Sequence, residues 1–249
     1  MHLLQAPPAT RFDLNFSIAG FRIRVHPLFW LITFILASSG TLVTIPMWIF
    51  VVFGSIIIHE LGHAFAFRYY GINSHIVLHT MGGLCIPEQA PWGTGYASVS
   101  PTPRQQIVIS LAGPAAGFIF ASILVAAVLL MGGDVRSEKF LGLIPLPLNP
   151  RLPFGGQILT IFIAMLLYVN IYWGIINLLP VFPLDGGQVA RNALLINDPY
   201  DGIRKSLWIS VITGGALAIF GLLVSGSYYM TLLFGMLAFQ SYQALQYRY

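Results

Sequence analysis

Long apolar runs separated by short polar intervals dominate the chain. Six runs approach the length that crosses a bilayer as a helix, about 20 residues. Backbone in lipid must satisfy its hydrogen bonds internally, so runs of this length predict helices rather than the short alternating strands of a membrane barrel. The predicted spans are residues 28–45, 47–67, 107–131, 158–179, 207–224 and 228–245.

The distribution of lysine and arginine predicts the orientation of these spans. Cytoplasmic loops carry the excess of positive charge. With both termini in the cytoplasm, nine of the 12 basic side chains face the cytoplasm and the other three, Arg136, Lys139 and Arg151, face out. The opposite orientation inverts this ratio, so we predict that both termini are cytoplasmic.

One polar interval, residues 72–100, shows a pattern typical of β-structure. It mixes β-branched residues with Gly and Pro, which favours a small hairpin at the inner membrane interface. A plain connecting loop fits the same pattern. If a hairpin forms, its edge strand offers a site for an extended peptide. No internal repeat is visible. We therefore expect an all-α membrane protein, apart from this hairpin, with residues 1–249 forming a single transmembrane domain.

The composition agrees with a membrane location. Hydrophobic residues make up 57% of the 249 residues and charged residues only 8%, whereas soluble domains carry about 25% charged residues. The net charge of +4 does not indicate nucleic-acid binding, because the basic residues are scattered rather than clustered. We expect an integral membrane protein, with the lipid bilayer as its partner and no nucleic acid.

The second predicted span contains the motif His-Glu-Leu-Gly-His, residues 59–63. Side chains four residues apart on a helix lie on one face, one turn apart, so His59 and His63 can reach one metal ion. Zinc prefers such nitrogen ligands. Glu60 lies about 100° around the helix from His59, where it can exchange a proton with a zinc-bound water. Ionisable groups within a span are rare and usually functional, which favours this interpretation over a structural pair.

A catalytic zinc site needs a third protein ligand, and Asp185 is the candidate. Pro180 and Pro183 interrupt the helix before it, and two glycines follow it. Two other roles also fit Asp185: the N-cap of a following helix, or a turn residue just outside the membrane. The predicted topology favours the ligand, because both motifs lie near the inner ends of spans that run in the same direction.

Two other features have plainer interpretations. His75 and His79 are also four residues apart, but the β-branched residues between them favour a strand, and two loop histidines without a third ligand make a poor metal site. The segment Leu-Ala-Gly-Pro-Ala-Ala-Gly, residues 111–117, predicts close helix packing through its small residues.

Together these motifs resemble the site-2 protease family of intramembrane zinc metalloproteases. The resemblance rests on residues 59–63, on Asn-Leu-Leu-Pro at 177–180 and on Pro-Leu-Asp-Gly at 183–186, and it extends over the whole six-span core. It implies that His59, His63 and Asp185 bind Zn²⁺ and that Glu60 is the catalytic acid–base. It also implies that Asn177 holds the substrate backbone or a developing oxyanion. Members often carry a PDZ or CBS domain, and neither is apparent in this sequence.

The expected activity is hydrolysis of peptide bonds within or near transmembrane segments of membrane proteins, as in regulated intramembrane proteolysis, at a site towards the cytoplasm. The main alternative is a metal or proton transporter that uses the His and Asp residues as a transit site. A transporter would spread polar positions along a path through the bilayer, whereas here they cluster at one depth. A membrane scaffold with an inactive site is a third class, and the intact Glu60 argues against it.

Overall fold

A computed structural model describes residues 6–37, 40–80, 82–88, 100–140 and 144–246. Within these ranges the chain is mostly helical, with seven helices and six short strands. The sequence predicted one hairpin of two strands, so it underestimated the number of strands. In chain order the elements are β1 (Leu14–Ile18), β2 (Phe21–Val25), α1 (Pro27–Ala37), α2 (Thr44–Tyr69), β3 (Ser74–His79), β4 (Gly82–Pro87), α3 (Pro103–Leu130), β5 (Asp134–Phe140), β6 (Ile144–Arg151), α4 (Gly156–Asn177), α5 (Asp185–Asn197), α6 (Gly202–Leu223) and α7 (Tyr228–Gln246).

Four helices of the described ranges have the length and apolar composition to cross a membrane: α2, α3, α4 and α6. They match four predicted spans to within a few residues at each end. The first predicted span differs, because α1 has 11 residues and a span needs about 20. α7 covers the sixth predicted span as a helix of 19 residues. Six spans and two cytoplasmic termini stay predictions.

Four strands form one sheet in the order β1-β2-β3-β4. β3 and β4 pair antiparallel, with Ser74 opposite Pro87 and His79 opposite Gly82, which confirms a hairpin within 72–100. Residues 81 and 89–99 of that interval lie outside the described residues. β2 joins the sheet by pairing parallel with β3 and antiparallel with β1. β1 and β2 were not predicted, because strands of five residues give only a short alternating pattern.

The turn between β1 and β2 is fastened to the end of α2. Ala19 and Gly20 both have positive φ, 51° and 83°, as two-residue hairpins of type I′ require. Arg68, in the last turn of α2, donates a hydrogen bond from Nη2 to the Ala19 carbonyl at 2.9 Å. Its guanidinium carbon also lies 3.6 Å from the centre of the Phe21 ring. This cation–π contact and the hydrogen bond fix the sheet relative to the helix that carries the His-Glu motif.

The contacts divide the chain into two compact units. The first comprises residues 1–98 and 112–174, and the second comprises residues 99–111 and 175–249. The prediction of one transmembrane domain stays a prediction.

The core of the first unit packs α2 against the sheet. Its fully or nearly buried members come from β2, α1, α2 and β3: Phe21, Ile23, Val25, Phe29, Ile56, Ile57, Ala64, Ile76 and Leu78. This apolar contact holds one face of α2 in place along the turns that flank the motif. The first unit also contains an unpredicted antiparallel hairpin, β5–β6, between α3 and α4. Three prolines in β6, at positions 145, 147 and 150, remove backbone donors from that strand.

The second unit contains the helices that follow the predicted ligand segment. Val181, Phe234 and Leu237 are almost completely buried and form its core with side chains of α6, α7 and the end of α4. α5 was not predicted, because its 13 residues are too few to cross a membrane. Val181 lies in the irregular segment between α4 and α5, so this segment is anchored on α7.

Candidate metal centre

His59 and His63 converge on the buried side of α2. Their Nε2 atoms lie 3.2 Å apart, and the side chains are 5% and 7% exposed. Two nitrogens bound about 2.05 Å from one tetrahedral zinc ion would lie about 3.3 Å apart. The separation in this structure is therefore already close to that of two ligands on one ion, as the spacing of four residues predicts.

Glu60 completes a group of three side chains that can bind a metal. One ligand atom from each of His59, Glu60 and His63 lies within 4.8 Å of the other two, and all three residues are buried. Within the described ranges this is the one group of its kind. A buried carboxylate beside two imidazoles can either bind the metal or exchange a proton with a water next to it.

Gly113 of α3 packs closely against the two imidazoles, and its lack of a side chain permits this approach. A Cβ at this position would contact Nε2 of His63 and Nε2 of His59. Gly62 of α2 lies against the backbone of Ala112, so the two helices approach backbone to backbone here. The close packing predicted for residues 111–117 is confirmed. The position of Gly113 opposite the imidazoles was not predicted. A small residue indicates that a helix packs closely against a neighbour, but it does not indicate which side chains of the neighbour it contacts.

β4 reaches the third member of the group at Gly83. A Cβ there would contact the carboxyl group of Glu60. The preceding residue, Gly82, has φ of 116°, and a Cβ on it would lie 3.1 Å from Cζ2 of Trp173. The two glycines therefore let the start of β4 pack between Glu60 of α2 and Trp173 of α4.

A buried polar pair connects α2 with α4 one turn before His59. Asn170 donates hydrogen bonds from Nδ2 to the Ser55 hydroxyl at 2.9 Å and to the Leu166 carbonyl at 2.8 Å. Ser55 and Asn170 are each 3% exposed. A hydrogen bond between buried side chains of two helices restricts how the helices slide and rotate against each other. The pair thus helps to fix α2 at the level of the two imidazoles.

These observations fit a metal ion. The two ring nitrogens point to one place, a carboxylate lies beside them, and glycine at position 113 keeps that place free of a side chain. The donor set of two imidazoles suits zinc, which takes nitrogen ligands in tetrahedral geometry.

Asn177 and Asp185 lie in the second unit, at the two ends of the irregular segment 178–184. Asn177 is the last residue of α4 and is 8% exposed. Asp185 is half-buried and is the first residue of α5, with Leu184 at the N-cap. The alternative that Asp185 is itself the N-cap is therefore wrong.

The other histidine pair lies on β3. The His75 Nδ1 atom is 3.7 Å from Oε1 of Glu88, and His79 is 5% exposed. Burial lowers the pKa of His75, although Glu88 opposes it, and burial also lowers the pKa of His79, with His26 and Arg24 adding to the effect. Within the described residues the pair belongs to no metal-capable group of three or more side chains.

Comparison with known proteins identifies the family. Residues 47–219 match the family described as Peptidase family M50. The chain belongs to peptidase family M50. The matched region contains both motifs, residues 59–63 and 177–186, on which the resemblance to site-2 proteases rests.

Several M50 relatives are similar along most of this chain. A zinc metalloprotease of Methanocaldococcus jannaschii is 26% identical over 212 residues, which cover 84% of this chain and 52% of the relative. Relatives from Synechocystis and Mycobacterium tuberculosis are each 28% identical over 76% of this chain and under half of their own length. The chain thus spans about half the length of the curated relatives it matches.

A solved structure of the same family is matched over nearly its whole length, whereas the curated relatives are matched over about half of theirs. The site-2 protease from Methanocaldococcus jannaschii matches with a TM-score of 0.56 and 25% identity, over 94% of this chain and 95% of that one. The family and four helices able to cross a membrane identify an integral membrane protein.

Proposed function

We propose that the protein is an intramembrane zinc metalloprotease of the site-2 type. It hydrolyses peptide bonds within or near transmembrane segments of other membrane proteins. The observation that carries this proposal is the convergence of the two imidazole Nε2 atoms at 3.2 Å, with Glu60 beside them. The three residues lie on a helix that is long and apolar enough to cross a membrane.

In this proposal His59, His63 and Asp185 hold one Zn²⁺ ion. Two imidazoles and a carboxylate are a donor set that zinc accepts, and three protein ligands leave one position open in catalytic sites. When bound, the ion would supply Lewis-acid chemistry that acidifies a water and polarises a peptide carbonyl. The 3.2 Å separation of the His59 and His63 Nε2 atoms supports the assignment of the two imidazoles.

Glu60 is the proposed acid–base residue. Its carboxylate accepts a proton from the attacking water and delivers it to the departing amine nitrogen when the peptide bond breaks. The close approach of Gly83 supports this role, because the backbone of β4 restricts where the carboxylate can lie. A carboxylate held in one position transfers protons without first having to be oriented.

Asn177 is the proposed donor to the reacting carbonyl. Its side-chain amide donates a hydrogen bond to the carbonyl oxygen as negative charge develops there. This role follows from the family resemblance. It is supported by the burial of Asn177 at the end of a spanning helix.

The substrate must present an extended segment. A helical carbonyl is hydrogen-bonded within its own helix, so the substrate helix unwinds before cleavage. β4 is the last strand in the order of its sheet, and its outer edge would bind such a segment through backbone hydrogen bonds. The proposed location is a bacterial or archaeal cell membrane with the site towards the cytoplasm. Relatives from an archaeon, a cyanobacterium and a mycobacterium support a prokaryotic membrane.

The first experiment separates catalysis from metal binding. Glu60→Gln should keep zinc, measured by metal analysis of the purified protein. It should lower kcat/KM for a transmembrane peptide by about 100- to 10,000-fold, the usual contribution of general acid–base catalysis. Glu88→Gln is the matched control, because Glu88 is a partly exposed carboxylate paired with Arg22. Cleavage by Glu60→Gln at the wild-type rate would remove the acid–base assignment.

The second experiment tests the third ligand and the transporter alternative. Asp185→Ala should lower zinc affinity, and undiminished affinity would exclude Asp185 as a ligand. Wild-type protein in liposomes should cleave the peptide without moving zinc across the bilayer. Zinc flux without cleavage would favour the transporter.

A further inference from the structure

The irregular segment before Asp185 satisfies its backbone donors in a specific way. Pro180 and Pro183 have no N–H group. Four of the five remaining N–H groups of residues 178–184 bond to carbonyls close by in sequence: Leu178 to Ile175, Leu179 to Ile176, Val181 to Leu179 and Leu184 to Val181. The fifth N–H group, that of Phe182, has its partner on another helix.

That partner is a serine hydroxyl. The Phe182 N–H donates to Oγ of Ser210 on α6 at 2.9 Å, and the Ser210 hydroxyl donates in turn to the Ser206 carbonyl at 2.9 Å. On α7 the Ser241 hydroxyl donates to the Phe182 carbonyl at a longer 3.5 Å. Ser210 and Ser241 are each 1% exposed. Two helices that lie later in the chain thus hold the two peptide groups on either side of the Phe182 Cα.

The burial of this contact makes it energetically significant. A buried N–H without an acceptor is costly, and non-helical backbone inside a membrane protein needs partners from its surroundings. Without the Ser210 hydroxyl, the Phe182 N–H would have to move to reach another acceptor. Movement at Phe182 passes directly to Asp185, which is three residues further along a tightly packed turn.

The packing around Asp185 transmits such a movement. A Cβ at Gly186 would contact the Leu178 carbonyl, and a Cβ at Gly187 would lie 2.5 Å from the Phe182 nitrogen. The guanidinium of Arg191 lies 5.2 Å from the centre of the Phe182 ring. The first turn of α5 therefore rests on the backbone of the segment, and the two move together.

We propose that Ser210 is a positioning residue for Asp185, with Ser241 in a weaker supporting role. Ser210 holds the Phe182 N–H group in place, so that the carboxylate of Asp185 stays in position to bind the metal. This inference rests on the proposed function, in which Asp185 is a zinc ligand. It gives α6 and α7 a role in metal binding although neither helix carries a proposed ligand.

The test measures zinc affinity by chelator competition on the full chain in detergent. Ser210→Ala should weaken zinc binding about 10-fold, the lower end of the range for groups that orient metal ligands. Ser241→Ala should have a smaller effect because its hydrogen bond is longer. The matched control is Ser206→Ala, since Ser206 is 2% exposed and its hydroxyl bonds to Ile203 of its own helix. Its zinc affinity should stay within about twofold of wild type, because the hydrogen bond that is lost lies within α6.

A double-mutant cycle separates positioning from stability. In an Asp185→Ala background the carboxylate is absent, so Ser210→Ala should cause no further loss of zinc affinity. Thermal unfolding of the zinc-free proteins gives the structural effect alone. A residue with only a structural role would lower the unfolding temperature equally in both backgrounds and leave zinc affinity unchanged, which would overturn the proposal.

The remaining outcomes are also decisive. If Asp185→Ala leaves zinc affinity unchanged, Asp185 is not a ligand, and its assignment in the zinc site and the positioning role of Ser210 both fall. If Asp185→Ala weakens zinc binding but Ser210→Ala does not, only the positioning role falls. If Ser210→Ala does not fold, Ser210→Cys keeps nearly the same volume with a weaker acceptor. It should then bind zinc more weakly than Ser206→Ala, and equal affinity would overturn the positioning role.

Discussion

The two halves of the proposed zinc site lie on backbone of different kinds. His59, Glu60 and His63 lie on α2, where every side-chain direction follows from the helical repeat and where the core of the first unit holds the helix. Asp185 follows a segment interrupted by two prolines, which is held by hydroxyl groups of α6 and α7.

This difference separates two ways of placing a ligand. A helix fixes the relation between residues four apart by its own hydrogen bonds, so neighbours need only leave room. An irregular segment has no repeat, and its side chains stay in place only if other elements satisfy its backbone. Variants that add bulk should therefore act on the helical half, and variants that shift backbone should act on the irregular half.

The largest effect is expected at Gly113. The methyl group of Gly113→Ala would collide with the Nε2 atoms of His59 and His63 and displace the rings. Zinc affinity should therefore fall by about 100-fold, the upper end of the range for disturbed metal surroundings. Metal analysis and chelator competition measure this. Gly117→Ala is the control, because a Cβ there would lie 3.4 Å from the Asn170 carbonyl, an ordinary contact. Full zinc binding by Gly113→Ala would show that the metal lies elsewhere.

A smaller loss of zinc affinity is expected for a substitution in the irregular half, at Gly186. The added Cβ would contact the Leu178 carbonyl and push the first turn of α5 away from the segment, so zinc affinity should fall by about 10- to 100-fold. Gly215→Ala on α6, where a Cβ would meet nothing within 4 Å, should bind zinc normally. If Gly186→Ala binds zinc as tightly as this control, the turn does not position Asp185.

Gly83 should affect catalysis rather than metal binding. A methyl group at this position would displace the Glu60 carboxylate, so kcat should fall by about 10- to 100-fold, part of the contribution of a general base, with zinc content unchanged. Gly54→Ala in α2, where a Cβ meets nothing within 4 Å, is the control for added bulk. Loss of zinc together with kcat would mean that Glu60 is itself a ligand.

The smallest effect concerns the sheet that supports the helical half. Burial raises the pKa of Asp13, but hydrogen bonds from Thr10 and Arg24 outweigh it and lower the pKa from 3.8 to about 2. The ionised group therefore stabilises the fold above pH 3.8, and this stabilisation is lost as the pH falls towards the lower value. Asp13→Asn should lower the unfolding temperature slightly at pH 6 and leave peptide cleavage unchanged.

The pH dependence of that difference is the measurement. The gap in unfolding temperature between wild type and Asp13→Asn should close between about pH 4 and pH 2. Asp134→Asn is the control, since Asp134 is 62% exposed in its pair with Arg136 and exposed ion pairs contribute little. A gap that persists at pH 2 would assign the effect to packing rather than to charge.

The sequence by itself determined the helical half of the site and the main spans. In a helix, the spacing of His59 and His63 places both imidazoles on the same face. Four long apolar runs form α2, α3, α4 and α6. Both are local properties, since a helix forms its hydrogen bonds within a few residues and lipid excludes other backbone conformations. The family also followed from the two motifs.

Only the tertiary structure decided what surrounds these residues. Gly113 and Gly83 lie against the metal-binding side chains because α3 and β4 approach α2 there, and Phe182 is held by a serine that is 28 residues away in sequence. Strands β1 and β2 likewise join β3 and β4 through pairing between distant segments. The sequence pattern around a glycine or a serine does not show which residue it contacts, because those contacts depend on how whole helices and strands pack.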